Sequence, residues 1–275
     1  MQQGYEPAKA FLLGWSFFLG GIVLYSLKAL GLLPPVFIVR HGMLLGSVVQ
    51  VVALASALSE RLNMIRAQLK ETNQQLVSSR KQIINRLAIA GEFRDNETGM
   101  HVIRVSHFAR ALAAAFGLND VQQDMIYTAA PLHDIGKIGI HDSILLKPGR
   151  LEPEERLEME KHAAIGGEII GDTDSRLMNM AKAIALTHHE HWDGNGYPSK
   201  IKGDEIPLSG RIIAICDVFD ALTSLRPYKE AWTTEKATGL IQSLSGKQFD
   251  PTLVELFMAI LPDIIEIKEQ YSDSL

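Results

Sequence analysis

A chain of 275 residues, 47% of them hydrophobic, has room for one full-sized domain and an appendage. Its 27 basic against 32 acidic side chains give a formal net charge of -5, which disfavours general binding to nucleic-acid polymers, so any anionic ligand has to be met by a local cluster or by metal ions. The single cysteine, Cys216, excludes an internal disulfide framework and fits a reducing compartment; within "IIAICDVF" it reads as a small buried filler, not a nucleophile.

Two uncharged runs come first, Phe11 to Leu27 and Gly42 to Leu58. Each is near the lower limit of about 17 residues for a helix that crosses a bilayer. Joined by the short link "GLLPP", they predict a transmembrane hairpin over residues 1–58, with spans at about 11–30 and 36–58. The competing readings are two buried helices of a soluble core, or a signal peptide for the first run; the second run would still have to stop in the bilayer, which disfavours cleavage. Arg61, Arg66 and Lys70 closely follow the second run, against Lys28 and Arg40 around the link. That bias places the C-terminal bulk in the cytosol and makes the chain a multi-pass protein of the inner membrane.

The period then changes. Leu62, Ile65, Leu69, Leu76 and Ile83 fall on a heptad seam, with Thr72 and Ser79 between them and polar residues elsewhere. A further step of four to Leu87 resembles a stutter. Residues 59–86 therefore predict a parallel coiled-coil linker that makes the protein a homodimer; the plainer alternative is one amphipathic helix lying on the following domain.

From about Gly91 the chain reads as consecutive helices. Helical periodicity runs through "HVIRVSHFARALAAAF", stops at Gly117 and resumes from Asp120. It returns in Glu154 to Ile170, Leu177 to His189, Gly210 to Leu225, Thr233 to Leu244 and Thr252 to Leu261, while the tail after Pro262 carries little information. Strand alternation flanked by hairpin turns is lacking, so the fold class is all-α.

The polar residues that interrupt these helices carry the chemistry. In "LHDIGKIGI", His133 and Asp134 are adjacent, and Lys137 follows Asp134 by three, on the same side of a helix. Glu97 and His101 are four apart, the spacing by which one helix supplies two metal ligands. His162 lies among small residues that admit a neighbouring helix, and the adjacent His188 and His189 suit a helix end, since inside a helix they would diverge by about 100°. Asp217 and Asp220 sit three apart in an apolar helix, which implies compensation by cations or metal. Each residue alone is as well explained by a cap or an ion pair. Together, five histidines and several carboxylates form a nitrogen and oxygen set suited to iron, manganese or zinc, with more ligands than one ion can use. His41, His107, His141 and His191 fall off these faces or in turns and are not expected to bind metal, and Trp192 and Trp232 read as packing residues.

The segments "ETGMHVIR", "LHDIGKIGI", that around His162, "HHEHWDGNGYP" and "GRIIAICDVFDALTSLRPYK" follow in the order and spacing of HD-GYP domains, a branch of the HD phosphohydrolase superfamily. The resemblance covers roughly Leu87 to Leu261 and implies an HD-type helical bundle over residues 87–275. It implies a bacterial phosphodiesterase that opens cyclic di-GMP to linear pGpG, and on to GMP, by attack of a metal-bridging hydroxide. The metal ligands it implies are Glu97, His101, His133, Asp134, His162, His188, His189 and Asp217, holding two or three divalent ions, with iron or manganese expected and Glu97 pointing to three. His133, Asp134 and Lys137 would be catalytic. Lys137, Arg226 and Lys229 would hold the substrate's phosphates and guanine edges, and Tyr197 and Asp220 resemble supports grouped with these substrate-side residues. The alternatives are a phosphodiesterase for a hybrid cyclic GMP-AMP dinucleotide, another HD phosphohydrolase acting on a phosphomonoester, and a non-catalytic cyclic-dinucleotide receptor. Residues 1–58 resemble the last two spans of seven-transmembrane receptors with diverse intracellular signalling modules.

Overall fold

The computed structural model of the chain describes residues 6–95, 99–225 and 230–273. It is all-α: among the described residues there is no strand, and one isolated bridge joins Ser245 to Phe249. The chain divides into two compact units, residues 1–78 and 79–275.

The first unit contains α1 (Glu6–Ala29) and most of α2 (Phe37–Glu92). Pro34 and Pro35 bring no backbone donors to the link, and α2 starts just beyond them. Both helices are long and apolar enough to cross a membrane. Their apolar side chains, among them Phe11, Leu12, Phe17, Val48 and Val51, are exposed, the reverse of what a soluble core helix shows. Past the second apolar run α2 continues without a break, and Leu62, Ile65, Leu69, Leu76, Ile83 and Leu87 are all exposed along it.

In the second unit, α3 (Gly99–Ala115) and α9 (Leu208–Thr223) supply facing stripes. Val105, Phe108, Ala109 and Leu112 on one, and Ile212, Ile215, Cys216 and Phe219 on the other, repeat at helical spacing and are fully buried. Phe108 meets Phe219 edge to face at 5.8 Å between ring centroids, and Phe219 meets Phe257 at 5.2 Å. Each such aromatic contributes about 1.5–3 kcal/mol on burial. Ile84 and Ala88, from the last turns of α2, join the same core. Between α3 and α9 come α4 (Asp120–Ala129), α5 (Asp142–Leu145), α6 (Pro153–Glu160), α7 (His162–Ile170) and α8 (Arg176–Thr187). Asn119 opens α4 with a reciprocal capping box to Gln122.

The sequence pattern over Glu154 to Ile170 predicts one helix, and the structure has two. The reason is local. Lys161 donates to the carbonyl three residues back, and the Met159 carbonyl is taken by the His162 ring. After α9, the chain adds α10 (Thr234–Ser243), α11 (Pro251–Ala259) and α12 (Leu261–Gln270). Helix α12 lies in the tail that looked uninformative.

Candidate metal centre

One turn, three helix ends and the interior of α9 build the site. His133 and Asp134 sit between short 3₁₀ segments, Ala130–Leu132 and Ile135–Gly139. The second segment can press against the start of α7 because residue 136 is glycine: a Cβ there would lie 1.9 Å from the His162 carbonyl oxygen. His162 opens α7, His188 and His189 follow the last residue of α8, and His101 and Asp217 project from α3 and α9.

Their tautomers are set from behind. Through Nδ1, His133 donates to the Ala130 carbonyl at 3.0 Å, His162 to Met159 at 2.8 Å, and His188 to Ile184 and Ala185 at 3.1 Å each. His101 Nδ1 donates to Asp220 Oδ2 at 2.8 Å. In the neutral form of each ring the proton on Nδ1 leaves the lone pair on Nε2. Those lone pairs converge on carboxylates. Asp134 Oδ1 lies 3.2 Å from His162 Nε2 and 3.3 Å from His188 Nε2, while Asp134 Oδ2 lies 3.3 Å from His133 Nε2. Asp217 Oδ1 lies 3.5 Å from His101 Nε2 and 3.9 Å from His133 Nε2.

Acceptor therefore faces acceptor. Asp134 Oδ1 and the Nε2 atoms of His133, His162 and His188 are buried with no hydrogen-bond partner, a costly arrangement unless a cation or a proton lies between them. Two groups of side chains satisfy the demand of a metal for converging donors: Asp134 with His162, His188 and His189, and His101 with His133 and Asp217, the ligand atoms within each group lying within 4.8 Å of one another. The donors are nitrogen and oxygen with no thiolate, so the residues fit a divalent transition ion.

The electrostatics agree. Burial alone would lower the His133 pKa, but the Asp134 carboxylate, aided by Asp217 and Glu92, raises it to about 10. Asp134 is held well below the usual carboxylate range despite its burial, first by Lys137 and then by His133. Burial lowers His188, and it lowers His189 well below the normal value with help from His188 and His162.

The loop after His189 folds back on the ligands. Glu190, itself buried, accepts from the backbone of Ser199 at 2.6 Å and Lys200 at 3.0 Å, and Tyr197 N donates to the His189 carbonyl at 3.1 Å. Residue 196 has to be glycine, since a Cβ would come within 2.3 Å of the His191 nitrogen. The Tyr197 ring, preceding a cis proline bond, leans on His189 with centroids 4.7 Å apart.

Residues 52–253 match the HD domain family, and residues 1–61 match the family described as 7TM diverse intracellular signalling. The chain belongs to the HD-domain family. Its His133-Asp134 pair and its Gly196-Tyr197-Pro198 turn are those of the HD-GYP branch. Among curated proteins it is 46% identical over 214 residues to the 3'3'-cGAMP-specific phosphodiesterase 2 of Vibrio cholerae, covering 78% of this chain and 40% of that protein. It is 42% identical over 225 residues to a cyclic di-GMP phosphodiesterase of the same organism, covering 77% of this chain and 46% of the relative. The chain thus spans less than half the length of these relatives. A crystal structure of a V. cholerae cyclic GMP-AMP-specific phosphodiesterase is 18% identical with a TM-score of 0.51, covering 70% of this chain and 52% of that one, a likeness of fold.

Of the ligands expected in the HD-GYP domain, seven come together: His101, His133, Asp134, His162, His188, His189 and Asp217. Glu97, Arg226 and Lys229 lie outside the described residues. Lys137 stands beside the cluster, its Nζ 2.5 Å from Asp95 and 2.8 Å from Asp134. Asp220 is the support expected, backing the ligand His101, and its buried charge is compensated by a cation, the Arg104 guanidinium; at 1% exposure, with both oxygens taken by His101 and Arg104, it does not belong with the substrate-side residues. Cys216 is the buried filler expected. His41, His107, His141 and His191 join neither ligand group.

Sequence reasoning missed Arg104, Asp95, Glu92 and Arg94. Arg94 pins the turn after Lys137, donating to the carbonyls of Ile138 and Ile140 and to Asp142 at 2.6 Å. For Glu92, Arg94 and Asp95 the charged run "GEFRD", directly ahead of the Glu97 segment at a helix end, was the available signal.

Proposed function

We propose that the chain is a metal-dependent phosphodiesterase that opens cyclic di-GMP to linear pGpG and is anchored in the membrane. The observation that carries the proposal is the convergence of unpartnered imidazole nitrogens on the carboxylate of Asp134. The cyclic di-GMP phosphodiesterases among the relatives support the substrate class.

His101, His133, Asp134, His162, His188, His189 and Asp217 would hold two ions, with Glu97 the candidate that would admit a third. When bound, divalent iron or manganese supplies a Lewis acid for the phosphoryl oxygens and lowers the pKa of water to about 7. The chain's own residues do the rest. Lys137, half-buried between Asp95 and Asp134, would present its ammonium group beside the phosphate. Tyr197 keeps its hydroxyl proton, because burial and then Asp134 push its pKa up, and so donates to an anionic oxygen. Arg226 and Lys229 hold the guanine and phosphate edges of the dinucleotide.

Residues 1–58 form a membrane hairpin in the inner membrane with the catalytic portion in the cytosol, a reading supported by the exposed apolar surface and by the 7TM family match. Residues 59–86 form a dimeric coiled coil, supported by the exposed heptad stripe from Leu62 to Leu87, and residues 87–275 form the HD-GYP domain. A second reading, cleavage of the hybrid cyclic GMP-AMP dinucleotide, is favoured by the 46% identical relative that carries that specificity. The test is turnover of both dinucleotides by metal-loaded protein, with the His133→Ala/Asp134→Ala pair as control. Faster cleavage of the hybrid would reverse the substrate assignment, and undiminished turnover in the double variant would remove the catalytic one.

A further inference from the structure

Arg104 lies one turn after His101 on α3, is 2% exposed, and is among the largest fully buried side chains of the protein. A buried guanidinium is costly unless every N–H finds an acceptor, and here the set is complete. Nε donates to Asp220 Oδ1 at 2.6 Å and Nη2 to Asp220 Oδ2 at 2.9 Å, the paired geometry that fixes the plane of a carboxylate. Nη2 also donates to Ser224 Oγ at 3.0 Å. Nη1 donates to the Tyr271 carbonyl at 3.1 Å and lies 3.2 Å from Asp273 Oδ2, both just past α12. The carboxylate so held accepts the Nδ1 proton of His101, whose Nε2 faces Asp217.

The other three rings whose Nδ1 is fixed, those of His133, His162 and His188, are held by backbone carbonyls. His101 alone among these four depends on a side-chain relay. We propose that Arg104 is a positioning residue for one metal site and not the other: by locking Asp220 it fixes the tautomer and direction of His101, and the segment Tyr271–Asp273 closes that lock from behind. The inference rests on the metal-site reading above. Outer partners of metal-bound histidines change affinity by about 10–100-fold when removed.

The experiment is a Mn²⁺ titration of the full chain, followed by electron paramagnetic resonance, on wild type, Arg104→Lys, Asp220→Asn and Asp273→Ala, with helicity and melting recorded alongside. Lysine keeps the charge but cannot grip both carboxylate oxygens. The expected result is an affinity loss of about 10–100-fold for one ion in Arg104→Lys and Asp220→Asn, with the other ion bound as in wild type. Asp273→Ala, partly exposed, should weaken the same ion by a few-fold. Folded variants that bind both ions as wild type does, or lose both in parallel, overturn the proposal. If neither buried variant folds, Asp273→Ala decides, and an unchanged titration there overturns it too. Wild-type protein that takes up no Mn²⁺ sinks the metal reading itself, a separate failure.

Discussion

The two ligand groups differ in what neutralises them. Around Asp134 Oδ1 gather three imidazoles, two of which, His188 and His189, have pKa values lowered first by burial. They stay neutral and ready to ligate. The other group, His101, His133 and Asp217, is richer in negative charge per ring and leans on Asp134 as well, and there His133 is raised to about 10. A proton thus stands where a cation would be. One pocket is a preformed set of lone pairs; the other has to give up a proton to accept an ion.

The sharpest way to break this contrast is Asp134→Asn. Asp134 Oδ1 serves His162 and His188, while Oδ2 serves His133 and Lys137, so one substitution disturbs both groups. Both ions should be lost, and turnover of cyclic di-GMP should fall on the order of 10⁴-fold or more, the scale for removing a member of a unit that acts together. His188→Ala should be different: metal analysis should find about one ion fewer with the His101 group still loaded, because only the Asp134 Oδ1 side loses a donor. Retention of both ions by Asp134→Asn would mean that the groups do not share this carboxylate.

The difference in protonation gives a smaller and pH-dependent effect. His133 is raised above its unfolded value of about 6.5, so in metal-free protein it contributes stability that is fully present below pH 6.5 and is lost as the pH climbs through about 10. The melting temperature of metal-free protein should therefore fall across that window, and His133→Gln should flatten the fall. With metal the sign reverses for affinity: the second ion should bind more tightly as pH rises, and its uptake should release protons to an unbuffered solution while the first ion's uptake releases few. Equal proton release for both ions would erase the distinction.

Much of this was legible in the residues, and the gaps have physical causes. Helix placement was readable because periodicity and caps act locally: Asn119 starts α4, and α8 ends at Thr187 just ahead of the His188-His189 pair. The split at Lys161 was not, since it depends on a ring reaching back to the Met159 carbonyl. Helix α12 was also missed, although Ile264 and Ile267 pack into the core, because a short amphipathic stretch acquires its meaning only from what it meets. The ligands could be picked out because imidazoles and carboxylates in apolar helices are conspicuous. Arg104 could not, for its partners Asp220 and Tyr271 lie 116 and 167 residues away. The same distance explains why Asp220 was grouped with the substrate-side residues.

A third histidine environment sharpens the contrast at the lowest energy. His107 is half-buried, stacked on Tyr271 at 4.4 Å and edge-on to Tyr127 at 5.0 Å, and the charge that acts on it is Arg110. Burial first, and that arginine second, lower its pKa. Below about pH 6.5 the unfolded chain then binds more protons here than the folded one, so His107 contributes stability above that pH and loses it on acidification. Like His188 it is a ring kept neutral by burial, but with no carboxylate to share, and unlike His133 it should destabilise in acid instead of in base. His107→Gln keeps a polar group between the two tyrosines and removes the titration. Comparing wild type with this variant cancels the acid-induced loss of metal common to both, and the wild type should lose more in melting temperature between pH 7.5 and 5.5, by about 1 kcal/mol or less in equivalent stability. Parallel acid curves for the two proteins would assign the whole of the acid sensitivity to the metal ligands and leave His107 as packing alone.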